Sequence, residues 1–417
     1  MYIKIIGASV NAAVMAYHLA EIGHQVLWKP HDQILASNLQ QNVTLFDDYH
    51  LTHGLQEQIV GFNLLLDRTH DESKYKIIFI AVNNDQYANF DEILSGLKET
   101  NSDLIINFSN LGLGKTHELK KAIGKNNVVY IPDFLNEDNL LESFASRNLI
   151  VGCDQDDYIA CVQEIFRPIF PQKNQFNFMS VSAAEFTKLS ISGFLATKIS
   201  YMNDLSNVAE TLGIDIEEVR IAMSTDSRVG QEYLYPGCGF GGHNFTRDVL
   251  KLKEVVVSTG NASSLLDKIW DINENQKEIV FRKLWKLFDC DLTGKVIAFW
   301  GAAFKPNANS IIQSPTLKVL EACWSQGAIT RIHDPRALAK LQEYYPNQPL
   351  LQICHDAYQA TEGADALCLM TEWKQYWSPN YRKLARLMRQ KNIVDGRNIY
   401  NPLYVENQGF NYIGIGR

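Results

Sequence analysis

Residues 2–22 read YIKIIGASVNAAVMAYHLAEI, a β-rich run followed by a glycine turn and a helix-forming stretch. The run Tyr2–Ile6 is typical of a buried strand, and the residues from Ala13 to Ile22 favour a helix that Gly23 closes. A second strand is predicted at His24–Trp28. A strand, a tight glycine turn and a returning helix together predict the opening unit of a doubly wound α/β domain.

The same alternation continues along the N-terminal part of the chain. Continuous apolar runs predict further strands of a parallel sheet that is covered on both faces, at Lys76–Val82, Leu104–Phe108 and Asn127–Ile131. We expect this first α/β domain to end near residue 178.

The C-terminal part returns to the α/β pattern without repeating the first sequence. Strands are predicted at 295–300, 328–335, 364–370 and 392–395, and a helix is predicted from Ser314, with Pro315 in its first turn where a missing N–H costs nothing. Between the two α/β regions strand signals stop, and residues 185–212 favour one long helix. The pattern leaves open whether that helix belongs to a linker bundle or to a spine that forms a dimer.

These segments predict an α/β protein with two Rossmann-like doubly wound parallel-sheet domains and a central α-helical domain between them. The expected boundaries are residues 1–178 for the N-terminal NAD(P)-type domain, 179–280 for the central helical domain and 281–417 for the C-terminal α/β domain.

Composition narrows the classes of function. The chain has 417 residues, with 39 Lys and Arg against 47 Asp and Glu, so no basic surplus exists to neutralise nucleic-acid phosphates. No apolar run is long enough to span a membrane, and the first apolar stretch, Tyr2–Val14, lacks the basic leader of a signal peptide. The seven scattered cysteines show no metal-binding spacing, and we interpret them as reduced thiols of a cytoplasmic protein.

The first glycine turn departs from the pattern of a dinucleotide site. Such a site uses G-x-G-x-x-G/A, and here Gly7 and Ala12 fit whereas Ser9 brings a side chain to the place where the pyrophosphate comes closest. Pro30 stands where an acid usually binds the ribose hydroxyls. Two interpretations remain open: Lys29 and His31 accommodate the 2′-phosphate of NADP, or the domain is kept as a scaffold.

Residues 235–248, YPGCGFGGHNFTRD, closely resemble the active-site segment G-F-G-G-S-C-F-P-K-D of the UDP-glucose/GDP-mannose dehydrogenases. Other segments resemble this family in the same order along nearly the whole chain, namely 132–137, 184–203, 226–230, 304–307, 314–315, 371–373, 395–398 and 414–417. We therefore identify the chain as a divergent member of this family from its motifs.

The resemblance implies a three-part protein with an NAD lobe, a central helical dimer spine and a lobe that binds the UDP group. Members oxidise the C6 hydroxyl of a sugar to a carboxylate with two NAD, through a cysteine thioester. The matching position here is Asn244, and an amide nitrogen is not a nucleophile that forms a hydrolysable thioester. Cys238, six residues earlier, is expected to pack in the core instead of substituting for the missing thiol.

The resemblance also assigns candidate roles to individual residues. The catalytic candidates are Lys188, which would stabilise an oxyanion, Asp248, which would work with a water, and Asn244, His243, Ser192 and Asp133 at matching positions. The cofactor candidates are Gly7, Ser9, Val10, Ala12, Lys29, Val82, Asn83, Ser109, Asn110, Glu137 and Arg247. The substrate candidates are Phe134, Leu135, Lys188, Arg228, Tyr233, Phe240, Gly241, Gly242, Phe304, Lys305 and Arg397, and no metal is expected.

Three functions remain open on the sequence. The leading hypothesis is a UDP-sugar-binding pseudoenzyme of glycan or polysaccharide biosynthesis, in which the cofactor site for NAD or NADP is eroded. The second is an active NAD(P)-dependent oxidoreductase that performs a single two-electron step, since hydride transfer needs a base and an oxyanion stabiliser but no thiol. The third is a non-catalytic partner of an active paralogue. We expect a homodimer through the central helices, and a homodimer alone would count against the third function, because that function pairs the chain with the paralogue through the same helices.

Overall fold

The protein folds as two compact units, Met1–Ser190 and Ile191–Arg417. The computed structural model describes residues 1–30, 33–40, 44–46, 48–66, 71–82, 90–135, 139–260 and 264–417. The predicted fold class is confirmed, with two parallel-sheet α/β regions and a helical region between them in the sequence. The division into three domains at residues 178 and 280 stays a prediction.

The first unit is built on an eight-stranded sheet of order β3-β2-β1-β4-β5-β6-β7-β8. Neighbouring strands are parallel except for the antiparallel pair β6 and β7. The strands are β1 Tyr2–Ile6, β2 Gln25–Lys29, β3 Leu64–Leu65, β4 Ile77–Ile80, β5 Leu104–Asn107, β6 Val128–Tyr130, β7 Leu149–Gly152 and β8 Phe176–Met179.

Helices cover both faces of this sheet. They are α1 Val10–Glu21, α2 Gln33–Gln40, α3 Tyr49–Val60, α4 Phe90–Glu99, α5 Lys115–Ile123, α6 Leu140–Ala145 and α7 Ile159–Phe166. The apolar residues of β4 and β5 are buried on both faces, which explains their continuous apolar sequence. The β strands predicted at 2–6, 24–28, 76–82, 104–108 and 127–131 are all present, whereas β3, β7 and β8 were not predicted.

One long helix, α8 Val181–Leu212, begins in the first unit and ends in the second. The second unit continues with α9 Ile216–Ser224, α10 His243–Ser258, α11 Ser264–Gln276 and α12 Ile279–Leu287. The prediction of a long helix at 185–212 is therefore confirmed.

The second unit also contains a six-stranded parallel sheet of order β11-β10-β9-β12-β13-β14. Its strands are β9 Val296–Trp300, β10 Ile329–His333, β11 Leu351–Ile353, β12 Ala366–Leu369, β13 Asn392–Asp395 and β14 Asn411–Ile413. Its helices are α13 Pro315–Ser325, α14 Leu338–Tyr344, α15 Ala357–Ala360, α16 Tyr381–Leu387 and α17 Pro402–Asn407.

Two sets of contacts fix the starts of helices in this unit. Ser314 caps α13 by accepting from Thr316 N, with Pro315 at the first helical position, as predicted. The C-terminal residues lie against α8 and α9, where Ile216 N donates to Gly416 O at 3.0 Å and Arg417 pairs with Asp215 at 3.0 Å. The chain terminus therefore fixes the start of α9.

Candidate functional site

Residues 237–242 of the second unit form a glycine loop that leads into α10. Gly239 and Gly242 have φ values of +91° and +89°, which residues with a side chain rarely adopt. A Cβ at Gly241 would lie 2.3 Å from the backbone oxygen of Gln313, and one at Gly242 would lie 2.5 Å from the ring of Phe304. The loop therefore needs glycine because its backbone lies directly against the segment 304–313.

Buried amide side chains hold this glycine loop in place. Asn273 accepts from Phe240 N at 2.8 Å and donates to Phe240 O at 3.2 Å. Asn203 accepts from Gly237 N, and Gln276 donates to Gly237 O, each at 2.8 Å. Sequence reasoning missed Asn273 and Gln276, and the only signal was a polar run on a helix whose other face is apolar.

Arg397 joins three backbone segments of the second unit around the same loop. Its guanidinium donates to the carbonyl oxygens of Met370 at 2.7 Å, Phe304 at 3.3 Å and Gly239 at 3.4 Å. Glu372 pairs with it at 3.2 Å. The structure thus places this predicted substrate residue beside the predicted residues Phe304, Phe240, Gly241 and Gly242.

Cys238 lies in this loop but is completely buried. Burial raises the pKa of its thiol above the ordinary value, although the charge of Arg397 opposes the shift. Its amide donates to Gly396 O at 2.9 Å, so the backbone around it is fixed. A buried, protonated thiol does not act as a nucleophile, as expected from the sequence.

The side chains at the start of α10 contact one another. Arg247 donates to Asn244 Oδ1 at 3.2 Å, and its second terminal nitrogen lies 3.5 Å from His243 Nε2. His243 and Asn244 are exposed, whereas Arg247 is partly buried. Three positions at which the sequence departs from the family motif therefore form one cluster.

One turn further along α10, Asp248 is buried against α8. Its Oδ2 accepts a 3.0 Å hydrogen bond from Ser192, and Asp248 is 1% exposed. Both residues were catalytic candidates, and the structure brings them into direct contact. A buried carboxylate needs a hydrogen-bond donor, and Ser192 supplies one here.

The remaining substrate candidates of the second unit are placed at separate points. Lys305 Nζ lies 6.0 Å from the ring centroid of Phe304, and Tyr233, with φ +62°, packs its ring at 6.3 Å from Phe245. Arg228 is fully exposed and pairs with Asp226 at 2.7 Å. Nothing in the described part of the second unit covers Arg228.

In the first unit, the turn after β1 is tight. Gly7 has φ +128°, and a Cβ there would lie 2.1 Å from Ala81 O. Ser9 caps α1, because its hydroxyl accepts from Ala12 N at 3.1 Å and donates to Ala81 O at 2.6 Å. The expectation that the Ser9 side chain stands in the approach of a pyrophosphate is not supported, since the hydroxyl is turned into the fold and the start of α1 at Val10 is intact.

Lys29 ends β2 and is already paired. Glu72 accepts from both Lys29 and Lys4, the latter at 2.7 Å. Burial would raise the pKa of Glu72, but the hydrogen bonds from Lys29 and Lys4 lower it below its ordinary value. The sequence-based suggestion that Lys29 receives a 2′-phosphate therefore meets a competing carboxylate that lies 43 residues away in the chain.

Cofactor candidates at the ends of β4 and β5 are linked by a buried hydrogen-bond chain. Val82 N donates to Ser109 Oγ at 3.0 Å, and Ser109 N donates to Asn107 Oδ1 at 3.1 Å. The amide nitrogen of Asn110 is buried without an acceptor among the described residues. This side-chain donor therefore lies at the edge of the sheet where a dinucleotide is expected to bind.

The segment 133–135 contacts the first part of α8. Lys188 Nζ lies 5.0 Å from the ring centroid of Phe134, a cation–π distance. Asp133 accepts from Leu135 N at 2.8 Å, which fixes the turn. The catalytic candidate Lys188 therefore contacts Phe134, the residue that follows Asp133 in the chain.

Sequence reasoning missed the role of Glu185, one turn before Lys188. This residue is buried, and its carboxylate accepts from Gly114 N at 2.6 Å and from Thr116 N at 2.8 Å, which caps α5. The helical sequence pattern around Glu185 does not indicate that its side chain caps another helix.

Some expectations fall outside the described residues or find no counterpart there. The candidates Asn83 and Glu137, and His31, are outside them. Among the described residues, no group of three or more His, Cys, Asp or Glu side chains is arranged to hold a metal ion. Within those residues no helix has the length and apolar character needed to cross a bilayer.

Comparison with known proteins identifies relatives over the full chain. A UDP-glucose 6-dehydrogenase of Pseudomonas aeruginosa is 32% identical over 442 aligned residues, which cover 100% of this chain and 98% of the relative. A UDP-glucose 6-dehydrogenase of Rhizobium meliloti is 27% identical, with 100% of both chains covered. The similarity therefore spans both units.

Solved structures agree with the fold. A UDP-glucose dehydrogenase of Pyrobaculum islandicum has a TM-score of 0.88 at 22% identity and covers 100% of this chain and 97% of that one. A UDP-D-ManNAc dehydrogenase of Pyrococcus horikoshii has a TM-score of 0.82 at 21% identity, with 100% and 99% covered.

Two family models match the chain, one from the start of α8 to α11 and one in the C-terminal α/β region. The central domain of the UDP-glucose/GDP-mannose dehydrogenase family matches residues 182–275, and the UDP binding domain of that family matches residues 298–402. The motif, the fold and the full-length relatives lead to one conclusion. The chain belongs to the UDP-glucose/GDP-mannose dehydrogenase family.

Proposed function

We propose that this protein binds a UDP-sugar but does not carry out the four-electron oxidation that a catalytic cysteine supports in its family. The observation that carries the proposal is Asn244 at the start of α10, with the neighbouring thiol of Cys238 completely buried. A carboxamide forms no thioester, and a buried thiol does not reach a substrate. The protein would then act in glycan or polysaccharide biosynthesis as a binding or regulatory member.

Retained sugar-nucleotide recognition is supported by the glycine loop. Its glycines, the three carbonyl contacts of Arg397 and the amide contacts of Asn273 form a pre-organised cradle, as is usual for a ligand-binding site. Lys305 and Arg397 supply cations that suit a diphosphate. The match of residues 298–402 to a UDP binding domain favours a UDP-sugar.

The tight turn at Gly7 and the N-terminus of α1 fit a dinucleotide pyrophosphate, so NAD remains a suitable cofactor. Gly7, Ser9, Val10 and Ala12 would hold it, and when bound it would supply a hydride acceptor. Because Glu72 already neutralises Lys29, we favour NAD over NADP.

A homodimer is supported by an apolar stripe on α8. Phe194, Tyr201, Val208 and Leu212 recur at helical spacing and are 51–65% exposed. A second copy of the chain would cover this stripe, and the exposed Arg228 would then be available to the partner.

Binding and turnover measured together test the proposal. We expect UDP-glucose or UDP-GlcNAc to bind in calorimetry, and no NADH to accumulate when NAD is present. The Asn244→Ser variant is the matched control without a thiol, and Asn244→Cys restores the thiol. Formation of two NADH for each UDP-glucose consumed by the unaltered protein would overturn the proposal.

A single two-electron oxidation is the second candidate, because the buried pair of Ser192 and Asp248 keeps an acid in place. In that case one NADH forms for each sugar, and His243→Ala and Lys188→Ala each lower turnover about a hundredfold. Unchanged rates in both variants would exclude this role for them.

A further inference from the structure

The first turn of α10 presents hydrogen-bond donors and no anion of its own. Because Asn244 Oδ1 accepts from Arg247, the amide nitrogen Nδ2 of Asn244 is left as an outward donor on an exposed side chain. The Nε of Arg247 is buried and has no acceptor among the described residues. Within the same part of the chain, no carboxylate forms an ion pair with Arg247.

The backbone adds to this arrangement. The residue before α10 is Gly242, which has no side chain to cap the helix, so among the described residues no capping side chain accepts from its first N–H groups. Unpaired N–H groups at a helix start favour a negative charge there. The helix start therefore adds to the attraction of an anion, whereas the cluster itself consists of the side chains of Asn244 and Arg247.

The family motif has a cysteine at position 244, and in such a place the thiolate itself is the acceptor that these donors need. Asn244 is neutral, so this chain has removed its own anion while keeping a guanidinium at position 247. A ligand with an anionic group would accept hydrogen bonds from these donors and neutralise the charge of Arg247. A neutral hydroxymethyl group leaves the donors only partly satisfied.

We propose that the ligand is a nucleotide sugar that already carries a carboxylate on its sixth carbon, a UDP-uronic acid, in preference to the neutral UDP-hexose. This inference rests on the proposed function and on the family resemblance, which implies that the sixth carbon of the sugar lies at residue 244. The carboxylate accepts from Asn244 Nδ2 and from the guanidinium of Arg247, and charge-assisted bonds of this kind are strong and directional.

Asp248 is the nearest negative charge on the same helix and opposes this binding. It lies a full turn beyond Asn244, and its Oδ2 is directed to Ser192 on α8. Arg247 already contacts Asn244 at 3.2 Å, so a ligand carboxylate at that side chain meets the guanidinium before the buried acid. Glu254, the other acid of α10, is ten residues from Asn244.

Calorimetry with the full chain tests the preference. UDP-glucuronic acid and UDP-glucose are titrated at equal ionic strength, and we expect UDP-glucuronic acid to bind at least tenfold more tightly. Asn244→Asp keeps the side-chain shape but adds a negative charge, and it should bring the ratio below one. Arg247→Met should bring the two affinities within about threefold of each other.

Arg382→Met is the matched control, because Arg382 is an exposed arginine on α16. It should leave the tenfold ratio unchanged, and thermal melting confirms that each variant is folded. If neither nucleotide sugar binds, the proposed function itself fails. If both bind with a ratio near one, or if the preference survives in both Asn244→Asp and Arg247→Met, the present inference is wrong and the proposed function stands.

Discussion

The hydroxyl of Ser192 donates a 3.0 Å hydrogen bond to Oδ2 of Asp248, and both side chains are buried in the second unit. The two residues are 56 positions apart, and the bond connects α8 to the start of α10. A buried carboxylate is costly without donors, so this contact helps to fix the helix that carries Asn244 and Arg247.

Ser192→Ala is expected to destabilise the protein, because it removes a donor to a buried carboxylate. The cost of such a loss is about 1–3 kcal/mol. The free energy of unfolding measured in urea checks this expectation.

The control is Ser258→Ala, which removes an exposed hydroxyl from the last turn of α10, the helix that carries Asp248. A change of at most about 0.5 kcal/mol is expected there. Equal costs for the two variants would show that the contact with Asp248 contributes little.

Thiol reactivity distinguishes the cysteines of the second unit. Cys290 is exposed, whereas Cys238, Cys323, Cys354 and Cys368 are buried, and burial raises the pKa of Cys323 to about 12. Since the thiolate is the reactive form, iodoacetamide at pH 8 should modify Cys290 first and leave the four buried thiols intact in the native protein. Peptide mass spectrometry identifies the modified sites.

In the Asn244→Cys variant the new thiol stands at an exposed helix start, where its pKa is expected to fall. It should react faster than Cys290. Rapid native-state modification of Cys238 in the unaltered chain would contradict its structural role and weaken the proposed function.

Much of the sheet structure is predictable because buried parallel strands leave continuous apolar runs. β1, β4 and β5 were identified in this way, and the helix start at Ser314 with Pro315 in the first turn followed from local backbone chemistry. Leu64–Leu65 was missed because two residues show no periodicity. Phe176–Met179 was missed because asparagine interrupts a short run.

The candidate site was predictable only where residues belong to a motif. Gly241, Arg397 and Asp248 came from the family resemblance, and the structure brings the first two to the same cradle. Asn273 and Glu185 were not found, because a buried polar residue on a helix has the same local sequence pattern as an exposed one. The ion pair between Lys29 and Glu72 could not be predicted from the sequence either, because only tertiary folding brings Glu72 to Lys29.

Gly241→Ala is expected to damage the glycine loop. Its methyl group would lie 2.3 Å from Gln313 O, and the backbone carbonyl has little room to move. We expect a loss of about 1–3 kcal/mol in stability and at least about a tenfold loss in UDP-glucose affinity. Chemical unfolding and calorimetry measure the two effects.

Gly96→Ala is the control for the same substitution in an exposed helix. A Cβ at Gly96 in α4 meets nothing within 4 Å, so alanine should stabilise the protein by about 0.5–1 kcal/mol. Normal sugar-nucleotide binding by Gly241→Ala would show that the loop adapts and is not a rigid cradle.

The apolar stripe on α8 predicts an effect on assembly. Tyr201→Glu places a charge in the middle of this stripe, and burying an unpaired charge in an interface is costly. Light scattering should report about twice the 47.4 kDa chain mass for the unaltered protein and a shift toward the monomer for the variant. Lys286→Glu changes an exposed charge on α12 and should leave the mass unchanged, whereas a monomeric unaltered protein would contradict the proposed dimer.

Buried histidines predict that the first unit loses stability in mild acid. Burial lowers the pKa of His18 and of His24 below 6.5, although hydrogen bonds to Leu141 O and Ile165 O oppose the shift. In the pH range between the folded pKa and 6.5, the unfolded chain binds more protons, so stability is complete above pH 6.5 and falls as pH drops below it, by at most about 1.4 kcal/mol per pH unit for each histidine. The free energy of unfolding measured from pH 8 to pH 5 should therefore fall less steeply in His18→Gln than in the unaltered protein, while the exposed His50→Gln control keeps the original slope. An identical slope in His18→Gln would mean that His18 binds a proton equally well in the folded and unfolded chain.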